Sequence, residues 1–172
     1  MRLLFACLLA AALAGCAAGP ETRPERQLAA NPSSLVAAEI GFARLAAEKG
    51  LWTAFRETMH PDAEMFTPRR VRAAEFLKNR ADPPLAPRWA AYAVVVSCDG
   101  SAGATRGVIT GADGSQRAFI TVWARQRDGN WRWLLDYSDA PLASNPPAPG
   151  MISSRTAICT GGPGLPITAP SE

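Results

Sequence analysis

The sequence is poor in groups that build metal or nucleophilic sites. His60 is the one histidine among 172 residues, which excludes multi-histidine metal sites and catalytic histidine pairs. The chain also lacks a CxxC pair, a GxSxG turn and a glycine-rich phosphate loop. We therefore expect no metal and no cofactor. His60 precedes Pro61, and we expect it to cap a helix C-terminus rather than to act in catalysis.

The chain also has little excess charge of either sign. Its 18 Lys and Arg residues against 15 Asp and Glu residues give a net charge of +3. Because no basic stripe is present, we expect no nucleic-acid partner. The densest basic run, PRRVR at 68–72, is predicted to be a solvated loop rather than an anion site.

The first 15 residues are predicted to be a signal peptide. Arg2 gives a positive start, and the apolar run over 3–13 is too short to span a bilayer. Residues 13–16 read LAGC, which resembles the lipobox of bacterial lipoproteins. That resemblance implies that Cys16 is lipidated and anchors the chain to a membrane, and Ala17 implies the periplasmic side of the outer membrane. An ordinary cleaved signal with a chance cysteine is the less favoured alternative.

We place the domain at residues 31–139. Helical periodicity dominates its first part. Before it, residues 16–30 have two prolines and no periodicity, so they are predicted to be a flexible tether. Asn31-Pro32 is predicted to begin a first helix that ends at Gly50. A second helix is expected to run to Pro61, and a short strand (63–66) and a third helix (72–79) to follow.

The second part is predicted to form four antiparallel strands. Segments rich in β-branched and aromatic residues cover 89–97, 102–110, 115–127 and 130–138. Asp128-Gly129 is the strongest hairpin signal. The sequence therefore predicts an α+β domain, with three N-terminal helices packed on a curved, mainly antiparallel sheet of four to six strands.

Residues 140–172 are rich in Pro and Gly and are predicted to form a tail that either lies along the surface or is partly disordered. Cys98 and Cys159 are the cysteines that remain besides Cys7 of the signal and Cys16. In an oxidising compartment, a disulfide between them would hold the tail. Two unpaired thiols are the alternative.

Two segments resemble the SnoaL-like, or nuclear-transport-factor-2-like, superfamily. They are DAEMFTP at 62–68 and the closing hairpin FITVWARQRDGNWRW at 119–133, which is followed by Asp136. The resemblance implies a cone-shaped, cystatin-like fold with a pocket between the concave sheet face and the helices. Since this fold hosts isomerases, dehydratases, cyclases and binding domains, it specifies function poorly.

The catalytic groups of the ketosteroid isomerase branch of that superfamily are absent. Its helix Tyr, its base Asp before a proline and its protonated strand Asp match Ala43, Thr67 and Thr121 here. Threonine cannot act as a base near pH 7, so that mechanism is not expected.

The same matching implies which side of the closing hairpin faces the pocket. Trp131, Trp133 and Leu135 are expected on the opposite face, and Ser138 on the pocket face. For each tryptophan, packing in the core is the default expectation. As a group, the tryptophans could also line an apolar pocket. The expected pocket residues are Trp52, Phe55, Phe66, Thr67, Trp89, Phe119, Thr121, Trp123, Leu134 and Asp136.

Asp136 is the candidate carboxylate for chemistry, because it interrupts an apolar strand. Its burial would require a partner, which Arg132 or an arginine of the preceding strand could supply. Structural pairing is favoured over ligand contact.

Three functions remain open. The favoured one is a non-catalytic envelope domain that binds a small apolar or aromatic molecule in the pocket, or a protein partner on the sheet face. The first alternative is a SnoaL-like lyase or isomerase that uses Asp136, with Thr67 or Tyr137 in support. The second is a structural envelope lipoprotein that forms a homodimer through the sheet face.

Overall fold

The computed structural model describes residues 29–142, 147 and 150–159. The predicted signal peptide, Cys16 and its proposed lipid, and most of the tether lie outside the described residues. Among the described residues, no helix is both long enough and apolar enough to cross a membrane.

Within that part of the chain, three helices accompany one seven-stranded sheet. The elements are α1 (Pro32–Lys49), α2 (Leu51–Thr58), β1 (Met59–Phe66), β2 (Arg70–Arg72), α3 (Ala73–Leu77), β3 (Arg88–Val96), β4 (Ala102–Thr110), β5 (Gln116–Arg125), β6 (Trp131–Ala140) and β7 (Ser153–Thr156). The sheet is open and curved, with the strand order β2-β1-β6-β5-β4-β3-β7. Strand β1 runs parallel to β6 and β3 runs parallel to β7, while the other neighbours are antiparallel. The α+β prediction is confirmed, and the sheet is larger than predicted.

Helix α1 begins and ends where its caps predict. The Asn31 side chain accepts a hydrogen bond from the Ser33 N–H at 3.1 Å, and Pro32 occupies the first turn. At the other end, Gly50 adopts a φ of 107°, and its N–H donates to the Ala46 carbonyl at 3.0 Å. Local sequence therefore determines both ends of this helix.

Helix α2 is shorter than predicted, because β1 begins at Met59 rather than at residue 63. Met59 is extended and pairs with Trp133 of β6. The register between β1 and β6 shifts between Met59 and Glu64. Pro61, which has no N–H to donate, is tolerated in that irregular stretch. The proline therefore lies within a strand instead of ending a helix.

The basic run also differs from the prediction. It contributes strand β2 rather than a loop, and Arg70 forms a salt bridge with Glu64 at 2.6 Å. Its side chains remain largely exposed, as expected for a short, charged edge strand.

The tail supplies the other edge of the sheet, so the folded region extends beyond residue 139. Its strand β7 pairs with β3 and is exposed throughout, which explains why no apolar alternation revealed it. The predicted disulfide between Cys98 and Cys159 is confirmed, with the two Cα atoms 5.6 Å apart. The disulfide joins Cys159, three residues after the end of β7, to Cys98 in the turn between β3 and β4.

Because of a bulge in β6, part of the closing hairpin faces the opposite way from the prediction. Val122 pairs with Leu135 but Trp123 pairs with Trp133, so Leu134 has no partner on β5. One extra residue reverses the alternation of a strand. The two tryptophans predicted for the opposite face consequently point toward the helices.

Indole hydrogen bonds confirm that orientation. Trp133 Nε1 donates to the Phe55 carbonyl at 2.9 Å, and Trp131 Nε1 donates to Ser34 Oγ at 3.0 Å. Both tryptophans belong to the main core, in which Phe42 and Phe55 meet edge to face with centroids 4.8 Å apart. The core thus occupies the space between the helices and the inner face of the sheet.

Candidate functional site

A cavity of about 590 Å³ lies between the helices and the inner face of the sheet. Each helix contributes to its wall, as do strands β1, β3, β4, β5 and β6. Most of the wall is aromatic or aliphatic. The lining residues are Phe42, Leu51, Trp52, Phe55, Met65, Phe66, Thr67, Pro68, Phe76, Arg80, Pro87, Trp89, Ile109, Arg117, Phe119, Thr121, Asp136, Tyr137, Ser138 and Asp139.

The cavity brings together most of the residues expected in a pocket, but two of them lie elsewhere. Trp123 is buried in the core, where its Nε1 donates to Thr105 Oγ1 at 3.1 Å. Leu134 is the unpaired residue of the β6 bulge, so the assumed alternation misplaced it. The expected residues that do line the cavity are Trp52, Phe55, Phe66, Thr67, Trp89, Phe119, Thr121 and Asp136.

Asp136 is a buried carboxyl in this largely apolar wall, with 4% of its surface exposed. Its Oδ2 accepts from Thr121 Oγ1 at 3.0 Å, and its Oδ1 accepts from Ser138 Oγ at 2.5 Å. Burial raises the pKa of Asp136 to about 6, although both hydroxyl bonds act to lower it. This carboxyl therefore changes its charge close to neutral pH.

The arginine partner expected for Asp136 is absent from the described residues. Arg132 instead donates to the carbonyls of Glu57 and Met59, each at 3.3 Å. The bulge places Arg132 and Asp136 on opposite faces of β6, which prevents their pairing. Two hydroxyl groups hold the carboxyl in place of an ion pair.

Glu39 of α1 is a second buried carboxyl that the sequence reasoning missed. It is 3% exposed, and its Oε1 accepts from Trp89 Nε1 at 2.9 Å while its Oε2 accepts from Thr105 Oγ1 at 2.6 Å. Burial, the largest effect, raises the pKa of Glu39 to about 7. A signal was available, because Glu39 lies in the apolar stripe between Leu35 and Phe42.

The two carboxyls stand at the ends of a polar row across the inner face. Thr105 of β4 pairs with Thr121 of β5, which pairs with Asp136 of β6, while Glu39 bonds Thr105 from the helix above. The negative charge of Asp136 contributes to the raised pKa of Glu39. We call these four side chains the polar row.

Glu39 itself does not line the large cavity. It lines a smaller one of about 150 Å³ beside α1, as does Ala43, the residue matched to the helix tyrosine of ketosteroid isomerases. His60 is also away from the large cavity and caps no helix. It lies in β1, where its Nδ1 accepts from the Asp62 N–H at 3.1 Å.

Three exposed charged residues, Arg80, Arg117 and Asp139, line the rim of the large cavity. The Arg80 guanidinium lies over the Phe76 ring, 3.7 Å from its centroid, and 5.4 Å from that of Trp52. Arg117 and Asp139 form a salt bridge at 3.6 Å. The site thus has an aromatic middle, a titratable interior carboxyl and a cationic rim. Over the ranges described above, no three His, Cys, Asp or Glu side chains gather as metal ligands would.

Such a site has two chemical capacities. Aromatic walls favour a planar apolar molecule, and Asp136 can accept or donate a hydrogen bond according to its protonation. A carboxyl with a pKa near 6 is also suited to transfer a proton near neutral pH.

The solved structures that are similar to the chain include the following three. A protein of unknown function with a cystatin-like fold from Methylobium petroleophilum is 12% identical, with a TM-score of 0.48, over 72% of this chain and 84% of that one. A nuclear-transport-factor-2-like superfamily protein from Salmonella enterica serovar Typhimurium is 15% identical, with a TM-score of 0.41, over 66% and 96% of the two chains. A Catenulispora acidiphila protein in complex with S-DNPA is 16% identical, with a TM-score of 0.44, over 62% and 90%.

No protein-family model and no curated protein matches the chain. Structural similarity at such low sequence identity and TM-score supports no conclusion about activity. The layout implied by the sequence resemblance, a pocket between helices and a curved sheet, is present in the chain's own structure.

Proposed function

We propose that this domain binds a small, largely apolar molecule with a planar ring system inside the large cavity. One observation carries the proposal: an aromatic-walled space of about 590 Å³ has Asp136 as its buried ionisable lining residue. Ligand sites typically enclose roughly 300–1,000 Å³ and combine apolar walls with a few placed polar groups. A purely structural domain would be expected to fill this space with side chains.

Asp136 supplies the point of specificity. Hydrogen bonds from Thr121 and Ser138 fix the orientation of its carboxyl group, so a ligand hydroxyl or N–H can meet a pre-oriented acceptor. An isolated polar group in an apolar wall selects ligands that satisfy it, because an unpaired buried group is unfavourable.

Calorimetric titration of the full chain with 2-naphthol tests the proposal. In the Leu51→Trp variant, a larger side chain enters the cavity wall, and we expect the affinity to fall about tenfold or more. The matched control is Leu85→Trp, since Leu85 is 65% exposed and lies outside the cavity. Absence of naphthol binding, or equal binding by both variants, would contradict the proposal.

A second candidate function is proton transfer on a bound substrate. The pKa of Asp136, raised to about 6 by burial, favours it. Thr67 and Tyr137 also line the cavity and bring hydroxyl groups that could stabilise an oxyanion. The test is the isomerisation of 3-cyclohexen-1-one to its conjugated isomer, followed by ultraviolet absorbance. Turnover that Asp136→Asn abolishes and that Asp113→Asn preserves would support catalysis, since Asp113 is exposed and lies outside the cavity. No turnover would leave binding as the function.

We also propose that the domain works at the cell envelope as a lipoprotein, with acyl chains on Cys16 and a position on the periplasmic side of the outer membrane. The LAGC motif and the apolar run before it support this. The Cys98–Cys159 disulfide agrees with an oxidising compartment. Mass spectrometry of the mature N-terminus should find a triacylated Cys16. The Cys16→Ala chain should retain its signal peptide uncleaved.

A homodimer through the outer sheet face remains a proposal. Half-buried Val95, Ala104, Val122 and Leu135 form one row across β3, β4, β5 and β6. Sedimentation of the wild-type chain against a Val122→Lys variant tests it, since a lysine inside such an interface would dissociate the dimer.

A further inference from the structure

The rim of the cavity carries a cation in an arrangement typical of anion recognition. The Arg80 guanidinium lies over two aromatic rings of the cavity wall, Phe76 and Trp52. Stacking of this kind restricts the rotation of a long side chain and holds its planar group in one orientation. The cation is therefore presented to the cavity instead of moving freely in solvent.

Arg80 has no acidic partner within the described residues, in contrast to other arginines nearby. Arg117 pairs with Asp139 at 3.6 Å and Arg56 with Asp82 at 3.7 Å, whereas Arg80 forms no salt bridge among the described side chains. The one hydrogen bond that its side chain makes there is a long one, from Nε to the Phe76 carbonyl at 3.4 Å. The donors on both terminal nitrogens thus have no bonded acceptor in that part of the chain.

The cavity has a negative group in its buried interior and, at its exposed rim, a positive group that is unpaired among the described side chains. Asp136 is buried in the wall, while Arg80 is exposed at the rim. An anionic ligand group beside Asp136 would meet a carboxylate in a poorly solvated site, which is unfavourable. The same group beside Arg80 would form charge-assisted hydrogen bonds, and a planar carboxylate can form two of them with one guanidinium.

We propose that the ligand is an aromatic monocarboxylic acid whose carboxylate binds Arg80 at the rim and whose hydroxyl or other neutral polar group reaches Asp136. This inference rests on the proposed binding function and adds the chemical class and the orientation of the ligand. The aromatic side chains of the cavity wall accommodate its ring system. Arg117 contributes less, because Asp139 already neutralises it.

The test compares two probes on the full chain by calorimetry: 6-hydroxy-2-naphthoic acid and its methyl ester. The two have the same rings and the same hydroxyl, and the ester lacks the negative charge. We expect the acid to bind about tenfold more tightly than the ester, and this difference to shrink at high salt. Nanodiscs should carry the chain, so that no detergent competes for the cavity.

The variant Arg80→Gln isolates the contribution of the guanidinium. It should bind the acid about tenfold more weakly than wild type and the ester equally well. Arg106→Gln is the matched control, because Arg106 also lies over an aromatic ring, 6.0 Å from the Tyr92 centroid, but is exposed on the outer face of β4. It should leave both affinities unchanged.

The possible outcomes separate this inference from the function on which it rests. Equal binding of acid and ester by the wild-type chain would overturn the Arg80 subsite and leave the pocket function standing. A loss of both affinities in Arg80→Gln would also overturn it, since it would show a structural role for the arginine. Failure of both probes to bind the wild-type chain would overturn the subsite and the binding function together.

Discussion

Thr105 Oγ1 on β4 donates a hydrogen bond of 2.6 Å to Glu39 Oε2 on α1, and both side chains are buried. This bond and the one from Trp89 Nε1 satisfy both oxygens of a carboxyl inside the core. Helix α1 is thus joined to the sheet by polar as well as apolar contacts. Since burial opposes ionisation of Glu39, the folded state should lose stability as the pH rises through the pKa of this carboxyl.

The first prediction concerns stability and pH in Glu39→Gln. The pKa of Glu39 is about 7 in the folded chain against an ordinary 4.5, so the folded state binds more protons between these values. The free energy of unfolding must then fall as the pH rises through that window, by roughly 1.4 kcal/mol per unit at most. Glutamine stays neutral, so the stability of wild type relative to this variant should decrease by on the order of 2–3 kcal/mol from pH 5 to pH 8.

Urea unfolding at several pH values, followed by tryptophan fluorescence, measures this difference. Asp136 titrates in both chains, and only its coulombic interaction with Glu39 differs between them. Glu48→Gln on the exposed side of α1 is the control and should follow the wild-type slope. Parallel curves for wild type and Glu39→Gln would show that Glu39 is ionised in the folded chain across the whole range.

The second prediction concerns Thr121→Val, which keeps the shape of the side chain but removes the donor to Asp136 Oδ2. Because that bond lowers the pKa of Asp136, its loss should raise this pKa above about 6. The variant should lose roughly 1.5–3 kcal/mol at pH 8, where a buried carboxylate lacks one donor, and less at pH 5. Unfolding at the two pH values measures both losses, with Thr110→Val at the end of β4 as control. A loss independent of pH would indicate a packing defect alone.

The third prediction concerns the disulfide between Cys98 and Cys159, which are 61 residues apart. Crosslinking a loop of that length stabilises the folded state by about 4 kcal/mol in the chain-entropy model. In the double Cys98→Ala, Cys159→Ala variant, the unfolding free energy should fall by up to that amount. Amide exchange at Ser153–Thr156 should also accelerate, because β7 is an exposed edge strand held at one end by the crosslink. Unchanged protection there would mean that pairing with β3 alone holds the strand.

Comparison of sequence and structure separates local signals from long-range ones. Asn31, Gly50 and the Asp128-Gly129 turn were predictable, because caps and turns depend on a few neighbouring residues. The β6 bulge was not predictable, since it depends on how Leu134 fits against another strand. Its effect was large, because one extra residue changes which side chains face the cavity.

The candidate site shows the same division. Alternation along β5 correctly placed Phe119 and Thr121 on the inner face. The partner of Asp136 was predicted wrongly, because the choice between arginine and hydroxyl groups depends on the face that the bulge assigns. Glu39 was overlooked although its position in an apolar stripe of α1 was visible, and its partners Trp89 and Thr105 lie 50 and 66 residues away.

The last prediction uses two glycines as a matched pair. A Cβ at Gly107 of β4 would overlap the Phe119 ring and the Ala90 carbonyl, whereas a Cβ at Gly41 of α1 would meet nothing within 4 Å. Gly107→Ala should therefore cost roughly 1–3 kcal/mol and displace Phe119, a wall residue of the cavity. Gly41→Ala should instead stabilise the chain by about 0.5–1 kcal/mol, because alanine favours a helix interior.

Urea unfolding and naphthol titration of both variants distinguish the two effects. If Phe119 forms part of the binding surface, Gly107→Ala should weaken naphthol binding even at temperatures where the variant is fully folded. Gly41→Ala should bind naphthol like wild type, because Gly41 does not line the cavity. Destabilised Gly107→Ala protein with wild-type affinity would show that the ring moves without touching the ligand, and the binding site would then have to lie nearer to Trp52 and Asp136.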